Sequence, residues 1–100
     1  MFSLTAGPDA TERRYYQLHY DYEVAAHCGL VSPRIEQAFR AKRRVADGIA
    51  TRPVEVQRQI RLKAYVDAAG EYDNRSLGGH KQWCRLEGRE GVRRLLTLPE

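Results

Sequence analysis

From Thr11 to Ala69 apolar residues return every three or four positions and nowhere settle into strand-like alternation, which constrains the chain to helices packed through their apolar faces. Tyr15, Leu18, Tyr22, Ala25 and Ala26 make the first such face and predict a helix over about 11–28. Thr11 is placed to cap it, Glu12 suits the positive end of its dipole, and Gly29 suits the left-handed residue that closes a helix. Ser32 before Pro33 starts a second helix over about 33–47, because serine accepts an orphan backbone N–H and proline at the first helical position forfeits no hydrogen bond. Its stripe is Ile35, Ala38, Phe39, Val45, Ala46 and Ile49, and Gly48 marks its end.

The link from Gly48 to Arg52 is short, so the second and third helices are expected to be antiparallel neighbours. The third, over about 53–70, carries two apolar rows: Val56, Ile60, Ala64 and Ala68 on one side, Leu62, Tyr65, Val66 and Ala69 on the other. A helix apolar on two sides is expected at the centre of a bundle. Past Gly70 the chain turns polar, and Gly78-Gly79 punctuates it. A short C-terminal helix over about 80–87 presents Trp83, Cys84 and Leu86, and Val92, Leu95 and Leu96 form a last apolar turn. The expected fold is all-α: one domain over 1–100, a compact bundle of three main helices plus a short fourth, with loose ends at 1–9 and 97–100.

That core is lean. Of the 42% hydrophobic residues 11 are alanine, and Leu, Ile, Val and Phe together number only 21 in 100, close to the level below which chains stay disordered. Cys28 and Cys84, the only cysteines, lie 56 positions apart, at the end of the first helix and in the last. They are expected to meet in the fold, and joining them would stabilise it by roughly 4 kcal/mol in the chain-entropy model. A bridge persists only outside the reducing cytosol, so a joined pair implies a periplasmic or secreted mature chain and free thiols a cytoplasmic one. Apolar runs of three or four residues exclude a membrane-spanning helix, and the first 30 residues show no secretory leader.

The net charge of +4 is unevenly spread. Residues 34–63 carry nine cations against three acids, and the rest of the chain has a net charge of −2. Arg34, Arg40, Arg44, Arg58 and Arg61 are therefore candidates for contacts to nucleic-acid phosphates. Against this, Glu36–Arg40 and Arg43–Asp47 are four residues apart and neutralise part of the patch, and the stretch offers no exposed aromatic to stack on bases.

Four of the six tyrosines fall within eight residues. Tyr15 and Tyr22 belong to the core stripe, whereas Tyr16 and Tyr20 project with Glu23 and His27 to the opposite face. Those four are the candidate contacts to a protein partner, since tyrosines are large, rigid and polar-tipped; the competing place for them is beneath the C-terminal segment. His19, Glu23 and His27 also form a ladder, but its ends lie roughly 12 Å apart, too far for one ion, and a solvated face is expected. His80 and Cys84, one turn apart, are the candidate pair for a metal or small ligand, although the C-x₂₋₄-C pairs of structural zinc are missing. Residues Tyr72 to Gly78, on to Trp83-Cys84, resemble a short piece of the C-type lysozymes. The resemblance covers under a fifth of the chain, without that family's multi-cysteine framework or a matching catalytic carboxylate, and so implies neither its fold nor its activity. Nucleophile elbows, phosphate-binding glycine loops and dinucleotide fingerprints are missing. The expectation is a non-enzymatic helical interaction module without cofactor, whose partner is another protein; nucleic acid and a ligand at His80 and Cys84 are the alternatives.

Overall fold

A computed structural model describes residues 10–44, 49–75 and 79–97. The protein is an all-α bundle: α1 (Ala10–His27), α2 (Pro33–Arg44), a 3₁₀ turn (Ile49–Thr51), α3 (Val54–Asp73), α4 (Gly79–Trp83), a π turn (Cys84–Gly88) and α5 (Arg89–Leu96). The punctuation read from the sequence holds at the α1–α2 corner. Gly29 has φ 69°, and Leu30 N–H donates to the Ala25 carbonyl at 2.8 Å while Gly29 N–H donates to that of Ala26, the paired bonds of a Schellman close. Ser32 Oγ then accepts the Ile35 N–H at 3.2 Å, capping α2. Thr11, by contrast, lies inside α1, which begins at Ala10. Val45, Ala46, Asp47 and Gly48 lie outside the described residues, and Ile49 is buried in the 3₁₀ turn rather than on the stripe of α2.

The central helix is α1, not α3. Its buried residues Tyr15, His19, Asp21, Val24 and Ala25 point round more than half of its circumference, and it packs against α2, α3, α5, the 3₁₀ turn and the π turn. α3 packs against α1 and α4 and shares no packed interface with α2, so those two helices are not the neighbours expected. The 3₁₀ turn packs on α1, and Arg52 reaches Glu12 there at 2.9 Å. The 3₁₀ turn thus sits by the start of α1, and α3 follows it along α1. Contacts from Tyr15 to Arg61, Tyr16 to Asp67 and His27 to Tyr72 climb together, so α1 and α3 run parallel.

The apolar core lies between α1, α2 and α5: Ile35, Phe39 and Leu95 with Leu18, Tyr22, Val92 and Leu96 around them. The last helical run does not stop at Glu87 but continues to Leu96 through the π turn. It folds back antiparallel to α1, and Gly91 permits the approach, since a Cβ there would sit 3.3 Å from Asp21 Oδ1. Asp21, 3% exposed, receives two parallel bonds from Arg94, Nε to Oδ2 at 2.9 Å and Nη2 to Oδ1 at 2.8 Å, plus one from Gln17. That geometry fixes α5 on α1 with charge-assisted bonds. Cys28 and Cys84 are joined by a disulfide, their Cα atoms 5.6 Å apart, which staples the π turn to the end of α1.

Candidate docking surface

Because α3 meets only one long helix among the described residues, the large side chains of its second apolar row stay exposed. Leu62 is 58% exposed, Tyr65 52% and Val66 55%, a contiguous patch at i, i+3 and i+4. The buried side of α3 is a narrow strip centred on Ala64 and Ala68. Ile60, expected at the heart of the bundle, is only half-buried. The physical reason for the correction is that α1 and α3 approach through alanines and polar tyrosines, leaving the large apolar groups of α3 to face outward.

Tyr16 and Tyr20 stand at the seam between the two helices. Tyr16 donates its hydroxyl to Asp67 Oδ2 at 2.6 Å, and its ring stacks on that of Tyr20 at 5.8 Å. Burial first, then the Asp67 hydrogen bond, pushes the Tyr16 phenol well above its ordinary range, and burial also raises that of Tyr20. The Tyr16 hydroxyl and then Lys63 hold Asp67 below the usual carboxylate range. Tyr16, Tyr20 and Val66 line one open groove of about 450 Å³, so the tyrosine pair and the apolar row of α3 form one continuous surface.

Glu23 and His27 continue the ladder away from that groove. Burial raises the Glu23 carboxyl, with His27 pulling it the other way, and His27 stacks on Tyr72 at 5.2 Å. The solvated face expected along this ladder is therefore not found. His19, at the ladder's other end, is 6% exposed between the edges of Tyr15 and Phe39. Its Nε2 has no hydrogen-bond partner among the described residues. Burial, then the charges of Arg43 and Arg61, lowers its pKa to about 4.

The five arginines proposed for phosphate contacts do not share one face. Arg34 is exposed and Arg44 lines an open groove of about 580 Å³ on α2 with Arg40 and Arg43, where Arg40 pairs with Glu36 at 3.1 Å. On α3, Arg58 pairs with Glu55 at 2.9 Å and Arg61 turns inward to the Tyr15 hydroxyl at 3.0 Å. The disulfide takes the Cys84 thiolate out of any ligand set with His80, whose ring leans on Tyr72 at 5.3 Å. Among the described residues no group of three or more His, Cys, Asp or Glu side chains is placed to hold a metal ion, and no helix is long and apolar enough to cross a membrane. No known protein family, curated protein or solved structure matches the chain.

The residues that sequence reasoning missed are Asp21 and Arg94. A carboxylate four residues before Ala25, inside the stripe of α1, was the signal for a buried partner, but that partner lies 73 positions away.

Proposed function

We propose that the chain is a non-enzymatic helical module that binds another protein through the outer face of α3, with Tyr16 and Tyr20 at its edge. The observation that carries this reading is the patch of Leu62, Tyr65 and Val66, each more than half exposed on a helix whose packed side is alanine. Contiguous apolar surface of a few hundred Å² rimmed by polar groups marks an interaction site on a soluble domain. Tyrosine in such a patch supplies the rigid, amphipathic anchor that dominates interface energetics. Glu23 and His27, further along α1 and away from the groove, are left out of this contact surface.

The working compartment we infer is the periplasm or the exterior, reached as a mature chain, because the Cys28–Cys84 bridge is stable only where thiols are not kept reduced. Phosphate binding is the weaker reading, since its arginines are divided between helices that do not pack together and two of the five are tied to carboxylates.

The test is site-specific photo-crosslinking in the native cell, with the reactive residue at position 65 and a control at exposed Gln37. A defined adduct from position 65 that disappears in Leu62→Asp, with the melting curve unchanged, is the expected result. Equal labelling from position 37 overturns the reading.

A further inference from the structure

Beside the disulfide, on the far end of the molecule from the 3₁₀ turn, an open cavity of about 470 Å³ lies between the ends of α1 and α3 and the start of the last helical run. Its volume is in the range that takes a small organic molecule. Leu30, Tyr72 and the bridge itself give it an apolar floor, with His27 stacked on the Tyr72 ring at 25° and His80 tilted against it at 54°. Lys81, Arg85 and Arg89 form the rim, and among the described residues no carboxylate lines the cavity.

The three rim cations differ from the exposed cations that are paired along their own helix, as do Arg14, Arg34, Arg43 and Arg44. Arg40, Arg58, Lys63, Arg75 and Arg93 each meet a carboxylate three or four residues away. Lys81, Arg85 and Arg89 have none within 4.0 Å among the described residues. The basic groove on α2 includes Glu36 and is partly neutralised; this one is not. Like charges gathered at one cavity raise the local potential and concentrate anions there.

The π turn contributes to that gathering. Over four residues an α-helix overshoots a full turn by about 40°, whereas a π turn, closing i to i+5, falls short of one. Residues 81, 85 and 89 straddle α4, the π turn and α5, so the two deviations offset and the cations stay on one side of the run. Guanidinium groups offer paired N–H donors that match a phosphoryl group in charge and geometry.

We propose that this cavity is a binding site for a small organic phosphate, its phosphoryl group held by Lys81, Arg85 and Arg89 and its apolar body resting on Leu30, Tyr72 and the disulfide. The site is independent of the docking face on α3, and its failure leaves that reading untouched.

The experiment titrates the oxidised full chain at low ionic strength with phenyl phosphate, inorganic phosphate and phenol. It follows amide shifts and the fluorescence of Trp83, the only tryptophan, whose ring is 6.3 Å from Tyr72. Phenyl phosphate is expected to saturate below about 10 mM, with shifts confined to the cavity. Inorganic phosphate should bind more weakly, and phenol should not bind. Arg85→Gln and Arg89→Gln should each weaken binding about tenfold, the order of one charge-assisted hydrogen bond, with the melting curve intact. Arg93→Gln, on the same run but paired with Glu90, should leave affinity unchanged. No saturable shift with phenyl phosphate, or an equal loss in Arg93→Gln, overturns the proposal.

Discussion

The two sides of α1 are built differently. Towards α2 and α5 it meets Ile35, Phe39 and Leu95, and buries its own His19 and its own Asp21, the latter held by two bonds from Arg94. Towards α3 it meets Ala64 and Ala68, and bonds its own Tyr16 and Tyr15 hydroxyls to Asp67 and Arg61. The first side concentrates the burial that stabilises a lean bundle; the second holds a helix in place while leaving its large apolar groups in water. One sequence thus separates folding from display by where it places leucine and where alanine.

Breaking the comparison begins with the largest expected effect. Arg94→Ala leaves the Asp21 charge buried and short of its main partner, and should cost about 3 to 5 kcal/mol in urea unfolding. On the other side, Lys63→Ala removes a surface pair with Asp67 and should cost under about 1 kcal/mol. Equal costs would mean that α5 anchors the fold no more strongly than α3.

Next comes acid. Folded His19 resists protonation down to about pH 4, whereas in the unfolded chain it takes up a proton below about 6.5. The unfolded state therefore binds more protons in that window, and stability falls as pH drops from about 6.5 to 4, by about 3 kcal/mol in total. Unfolding curves at pH 7, 5 and 4 check this, and His19→Leu should remove the slope over that window.

A cap tests the local level: Ser32→Ala should cost about 1 kcal/mol, and an unchanged midpoint would move the start of α2 elsewhere. The smallest effect sharpens the contrast most. Leu62→Ala on the open face should change stability by less than about 0.5 kcal/mol, whereas a leucine in the core, Leu95→Ala, should cost roughly 2 to 5.

What was legible in the sequence was local. Gly29, Ser32 and Pro33 set the α1–α2 corner by their own backbone preferences, and cysteines at the ends of two elements pointed to their own pairing. What was hidden depended on partners far along the chain. Asp21 and His19 look like surface residues until α5 and α2 cover them, so the sequence pattern favoured α3 as the centre. The role of Gly91 was hidden likewise, since it lies inside the last run where α5 must come close to Asp21. On the proposed docking surface, Tyr16 and Tyr20 were visible as a cluster, but their continuity with Val66 required the parallel placement of α3.

The bridge from Cys28 to Cys84 closes a ring of chain containing all of α2 and α3. A protease that cuts one peptide bond anywhere between the two cysteines therefore releases no fragment: the two pieces travel together until a reductant reaches the sulfurs. Two cuts flanking α3 are needed to free the helix that carries Leu62, Tyr65 and Val66.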